Sequence, residues 1–207
     1  MAEIDPYHRR FLPLLIVISG PSGVGKDTIA RRLIARRPES FDFVVTATTR
    51  PPRAGEVDGV DYLFVSHDEF AQMIDAGEFL EYAVVYNDYK GVPKKQIRDA
   101  LDSQRDVIMR VDPQGAATIR RIVPDAVFVF LTTQSEDEMV QRLRERKSEN
   151  PEELKLRIAT SRQEMKRIKE FDYWVINADD RQGDAVERIL CIMEAERVRV
   201  DRKPIEI

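Results

Sequence analysis

The chain has 207 residues, 43% of them hydrophobic, enough to bury the core of one medium-sized domain. Its formal net charge of −4 disfavours non-specific attraction to nucleic acid or to an anionic membrane, because both select basic surfaces. A single cysteine, Cys191, excludes an intramolecular disulfide and fits a reducing, cytoplasmic setting; lying in a helical stretch, it reads as a core thiol.

The first ten residues, "MAEIDPYHRR", are polar, and their two acidic residues make a poor transit peptide. The longest apolar run, "FLPLLIVIS" at 11–19, is too short to span a bilayer. Its second part, 14–19, is predicted as a strand buried on both faces of a parallel sheet. A glycine loop follows, then a helix over 25–37 that places Ile29, Leu33 and Ile34 on one face and ends at Pro38. Residues 43–92 read differently. Short alternating strands ("FVVTATT", "DYLFVS", "FLEYAVVY"), glycine turns and a short helix near 67–76 form the pattern of an inserted small α+β lobe. Buried strands return at 106–111, 126–132 and 173–177, each followed by a helical stretch near 114–122, 135–147 or 182–199. That alternation predicts an α/β fold, a parallel sheet flanked by helices. The charged stretch 142–170 reads as a helical pair broken at "SENPEE", where Pro151 suits the first turn of a new helix; it is either a solvated face or a lid. The expected organisation is one domain: a core of 12–42, 93–141 and 171–207, a small lobe at 43–92 and a lid at 142–170.

Between the first strand and helix stands "GPSGVGKDT", with Gly20, Gly25 and Lys26 at the spacing of a phosphate-binding P-loop. Glycines let the loop of Gly20, Pro21, Ser22, Gly23, Val24 and Gly25 curl so that its backbone N–H groups, which Pro21 alone lacks, approach phosphate oxygens. The helix N-terminus adds positive potential, and Lys26 reaches the outer phosphates. Thr28 completes the motif, but Asp27 occupies the position where a P-loop hydroxyl ordinarily ligates Mg²⁺. Three readings stand: an idle acidic residue in a helix's first turn, a magnesium ligand in place of the hydroxyl, or the partner of a nearby base.

In "TATTRPPRAGEVDGVDY" (46–62), Arg50 and Arg53 flank Pro51-Pro52, whose extended geometry turns both guanidinium groups to one side, as a monophosphate requires. Together with "GPSGVGK", this stretch resembles the guanylate kinases. The resemblance continues through "EFLEYA", "YKG", "VDPQGA", "RLRER" and "YWVIN", over about residues 14–190. It implies a P-loop three-layer fold and ATP-dependent phosphorylation of GMP to GDP with Mg²⁺.

By that resemblance Arg50, Arg53 and Tyr62 hold the acceptor phosphate, while Thr46, Glu81 and Asp112 hold guanine. A carboxylate at Glu81 accepts from both guanine N1–H and the 2-amino group, donors that adenine lacks. Arg142, Arg146 and Arg157 of the charged pair are the matching candidates to neutralise charge during transfer, and Asn177 matches a position near the adenine of ATP. The alternative for the arginines is surface salt bridging with Glu145, Glu149 and Glu153. No matched residue reads the 2′-hydroxyl, which leaves dGMP open as an acceptor, and a monomer and a homodimer are equally compatible. Neither nucleic acid nor a membrane is an expected partner.

Three positions depart from the family pattern. Lys90 replaces a tyrosine before Gly91, Val92 replaces a hydroxyl residue after it, and Arg110 replaces the first aspartate of a strand end. Lys90 supplies a charge where the family uses a phenol. Arg110 beside an acidic P-loop suggests that the carboxylate has moved to Asp27, with Arg110 as its partner. Two further readings remain: a ribose 1,5-bisphosphate kinase, which resembles this family and often carries "GKD", and a non-catalytic guanylate-kinase-like module that binds phosphopeptides.

Overall fold

A computed structural model describes residues 11–53, 55–85, 87–145 and 151–207. The polar first ten residues and the lid candidate Arg146 lie outside the described residues. In chain order the elements are β1 (Leu15–Ser19), α1 (Lys26–Arg36), β2 (Phe41–Phe43), β3 (Ala47–Thr48), β4 (Leu63–Phe64), α2 (His67–Asp75), β5 (Phe79–Val85) and β6 (Asp88–Pro93). Then follow α3 (Lys94–Asp102), β7 (Asp106–Arg110), α4 (Pro113–Ile122), β8 (Val127–Thr132), α5 (Glu136–Glu145), α6 (Pro151–Met165), a 3-10 turn (Lys166–Glu170), β9 (Tyr173–Ile176) and α7 (Gln182–Arg197).

The main sheet has the order β2-β7-β1-β8-β9, and all of its pairings are parallel. Alternate side chains of β1 go to opposite faces. Leu14, Ile16 and Ile18 pack with Ile29 and Leu33 of α1 and Ile189 of α7, while Leu15 and Val17 pack with Ile97 of α3 and Ile119 of α4. Coverage on both faces is why these strands read as unbroken apolar runs. The chain leaves β1 between neighbours β7 and β8, so a crevice opens at the carboxyl ends of the strands, where α/β sheets bind ligands.

The small sheet has the order β4-β3-β6-β5 and is mixed, with β3 and β4 parallel and the other pairs antiparallel. Its own core is Ala47, Phe70 and Phe79, with the Phe70 and Phe79 rings stacked 4.5 Å apart. Helix α2 is held by a reciprocal cap between Ser66 and Glu69.

Three expectations need correction. "FVVTATT" is not one strand: Phe43 ends β2 in the main sheet, Val44 is buried in the main core and donates its N–H to Ile108, and the small sheet begins at Ala47. The two cores compete for that segment, and the apolar side chains of Phe41 and Val44 are claimed by the larger. Helix α3 was not foreseen because "KKQIRDALD" fully buries only Ile97 and Ala100, too few to show a period. Cys191 is exposed, since the buried face of α7 runs through Ala185, Ile189 and Met193 and leaves it outside.

Candidate active site

The phosphate loop is pressed against β8. Gly20 has φ 140°, and a Cβ there would lie 2.2 Å from the Leu131 carbonyl oxygen, so only glycine lets the chain turn at this point. Lys26 opens α1, and its Nζ donates to the carbonyls of Gly20 at 2.5 Å and Pro21 at 3.0 Å. Burial lowers the Lys26 pKa, while the negative charges of Glu164, Asp27 and Asp112 oppose that shift. Behind the loop, the Asn177 amide donates to the Val24 carbonyl at 2.8 Å. Arg142 donates to the same carbonyl at 3.3 Å and is held by Glu138, Asp179 and the Asn177 carbonyl. Arg142 and Asn177 thus brace the loop from behind and do not line the cleft. Thr28 is exposed on α1.

Asp27 and Arg110 come together. Arg110 Nε lies 2.8 Å from Asp27 Oδ1, the arginine side chain 5% exposed and the aspartate 47%. The contact is one of charge, because the N–H direction gives Nε no hydrogen bond. The guanidinium lies 4.5 Å from the centre of the Tyr62 ring and 4.8 Å from that of Phe43, and it donates to the Asp61 carbonyl.

On the other side of the cleft, Arg50 makes a two-pronged bridge to Glu56, both contacts 2.8 Å, and lies 4.8 Å from the Tyr62 ring centre. Glu56 also accepts from the Arg53 backbone N–H at 2.7 Å, so one carboxylate holds the Arg50 guanidinium and the Arg53 main chain. Its position inside "RAGE" was the available sequence signal. Lys90 lines the cleft from β6, where burial lowers its pKa and Asp112 opposes the shift. Thr46, Arg53, Tyr62, Glu81 and Asp112 line it as well.

Glu81 is 7% exposed, and its Oε2 is buried with no hydrogen-bond partner. Burial first, and the charge of Asp112 second, push its pKa up to about 8. Gly115, at the start of α4, makes this position possible: a Cβ there would stand 2.9 Å from Glu81 Oε1. Asp112 caps α4 by accepting from the Gly115 N–H at 2.8 Å. Gly91 and Val92 do not line the cleft. Gly91 sits under the Phe79 ring and Val92 is wholly buried in the main core, so the valine is a packing residue.

Helix α6 brings Arg157 and Glu164 to the cleft. Glu164 faces the Ser22 N–H of the phosphate loop, and its Oε2 is buried without a hydrogen-bond partner. Burial raises its pKa, with Lys26 pulling the other way. Sequence reasoning missed Glu164, because one glutamate in a run of charges carries no local signal.

The family model "Guanylate kinase" matches residues 13–196. Guanylate kinase 2, chloroplastic/mitochondrial, of Oryza sativa subsp. japonica is 49% identical over 196 residues, 94% of this chain and 68% of that protein. A guanylate kinase of Streptococcus agalactiae serotype III (strain NEM316) is 43% identical over 91% of this chain and 90% of its own length. Among solved structures, guanylate kinase from Anaplasma phagocytophilum superposes with a TM-score of 0.77 at 29% identity, covering 93% of this chain and 90% of that one. With matches of this extent, and a P-loop facing an arginine–tyrosine cluster across one cleft, the chain belongs to the guanylate kinase family.

Proposed function

We infer that the chain transfers the γ-phosphoryl group of ATP to GMP, releasing ADP and GDP. One observation carries this reading at the level of the site: a P-loop and a cluster of Arg50, Arg53, Tyr62 and Lys90 line the same cleft, and a buried carboxylate with an unpaired oxygen, Glu81, stands beside the cluster. An acceptor-phosphate oxygen attacks the γ-phosphorus in line as its bond to the β–γ bridging oxygen breaks. The protein supplies position and charge.

Lys26 and the loop N–H groups hold the donor phosphates. Arg50, Arg53, Tyr62 and Lys90 orient the acceptor phosphate, with Glu56 fixing the Arg50 side chain and the Arg53 main chain. Arg157 approaches from α6 to screen the transferring group, and closure of α6 over the cleft keeps water from competing as acceptor. Arg142 and Asn177 act at one remove, by holding the Val24 carbonyl. Glu81 selects guanine, since its carboxylate finds the N1–H and 2-amino donors there and adenine has neither; Thr46 and Asp112 complete that end of the site.

The residues present fit a magnesium ion. Asp27 has one oxygen beside Arg110 and is 47% exposed, so its other oxygen is open to a hard cation. Among the described residues no group of three His, Cys, Asp or Glu side chains gathers to hold a metal, so the other ligands would come from nucleotide and water. When bound, Mg²⁺ neutralises phosphate charge. The cytoplasmic assignment rests on the lone cysteine.

The test is ADP formation with GMP, dGMP, AMP and ribose 1,5-bisphosphate offered separately. GMP is expected to exceed AMP by at least about a thousandfold in kcat/KM, as a site built to pair polar groups discriminates. Turnover of the sugar bisphosphate without turnover of GMP would overturn the reading.

A further inference from the structure

We propose that Arg110 is a positioning residue that couples the two halves of the site: it ties Asp27 of the phosphate loop to Tyr62 of the small lobe, so that neutralising Asp27 strengthens GMP binding. The proposal rests on the roles inferred above for Asp27 and Tyr62.

Arg110 ends β7 at the floor of the cleft, nearly buried, and touches both sides at once. Its guanidinium is fixed in plane by the rings of Phe43 and Tyr62, at 4.8 and 4.5 Å, and at one edge by the Asp61 carbonyl. A second contact reinforces the junction, because Arg31 of α1 pairs with the Asp61 carboxylate, which also accepts from the Val57 N–H at 2.9 Å. The residue just before Tyr62 is therefore held by the P-loop helix and by β7 together.

Asp27 is the only acidic side chain within salt-bridge distance of Arg110 among the described residues, and the contact is misaligned: 2.8 Å apart, with no hydrogen bond from Nε. A buried guanidinium with a poorly directed anion gains strongly from a better one. When a cation draws off the charge of Asp27, the field of Arg110 is left to the next anion in the cleft. That anion is the acceptor phosphate at Tyr62, whose ring lies against the guanidinium. Coupling of this kind is reciprocal, so whatever occupies Asp27 would tighten GMP and GMP would tighten it by the same factor.

The test is calorimetric titration of GMP into the full chain without ATP or magnesium, comparing wild type, D27N, R110Q and the double variant. R110Q is expected to weaken GMP binding. D27N removes a negative charge from the cleft in either background, so some tightening is common to both. The proposal requires that tightening to be at least about threefold larger with Arg110 present than in the R110Q background, a departure from additivity typical of residues in contact. R110K, which keeps the charge and loses the flat stacking surface, is expected to recover part of the affinity and little of the coupling. It takes the place of R110Q in the comparison if R110Q does not fold. Equal effects of D27N in both backgrounds, or unchanged GMP affinity in R110Q, would overturn the proposal alone. Loss of GMP binding by the wild type would overturn the acceptor-site assignment beneath it.

Discussion

Glu81 shows how a single buried carboxylate makes recognition depend on pH. In the free protein its pKa is pushed up to about 8, by burial and then by Asp112. A folded-state value above the ordinary carboxylate range means that the group's contribution to stability is full below about pH 4.5 and is lost as pH rises through 8. On the proposed role of Glu81, guanine takes the ionised form, with both oxygens accepting, and GMP binding near neutrality is expected to release a proton. GMP affinity is then expected to rise by up to about tenfold per pH unit from 6 to 8 and to level off above that. Calorimetry in buffers of different ionisation enthalpy would detect the proton, and E81Q should abolish both its release and most of the affinity. The motif "EFLEYA" marked Glu81 in the sequence, but its environment was not legible there. Gly115, 34 positions away in the chain, is what admits the carboxylate, and no local pattern links the two.

Among the elements, α6 combines a positive and a negative contribution to the phosphate site. Arg157 was anticipated, and Glu164 on the same helix was not. Its carboxylate faces the Ser22 N–H, a donor that a P-loop otherwise turns toward phosphate, and it lies close enough to Lys26 to oppose the drop in that residue's pKa. A triphosphate entering the loop has to displace this carboxylate. E164Q, which keeps the shape and removes the charge, is expected to tighten tripolyphosphate binding by about five- to tenfold, roughly 1 kcal/mol of relieved repulsion. Equilibrium titration with tripolyphosphate would measure this, and unchanged affinity would place the carboxylate outside the anion's path. The P-loop helix and the buried strands were legible because their signals are local: glycine spacing, apolar runs and capping residues. Helix α3 and the crossing from β2 to β3 were not, because both depend on which of two cores takes a given side chain.

Across the whole molecule, Asp106 joins the ends of the fold. Only 1% of its side chain is exposed; Oδ1 accepts from the Leu14 N–H at 2.8 Å, and Oδ2 pairs with Arg197 at the end of α7. It therefore locks the start of β1, the start of β7 and the last long helix into one register. Asp106→Ala would leave the buried Leu14 N–H without its acceptor and remove one of the carboxylates that hold Arg197, at a cost of about 3 kcal/mol. Denaturant unfolding would report this as a lower midpoint with an unchanged slope. By itself the sequence determined the α/β class, the buried strands of the main sheet and the helices that follow them, and the phosphate loop. These follow from periodicity, turn chemistry and motif spacing, all of which act over a few residues. Only the tertiary structure decided that Arg110 meets Asp27 and Tyr62 together, that Glu164 reaches the loop, and that Val92 belongs to the core. Each of these depends on how strands far apart in sequence bring their ends to one crevice, and that arrangement is set by the packing of buried faces, a property no short stretch carries.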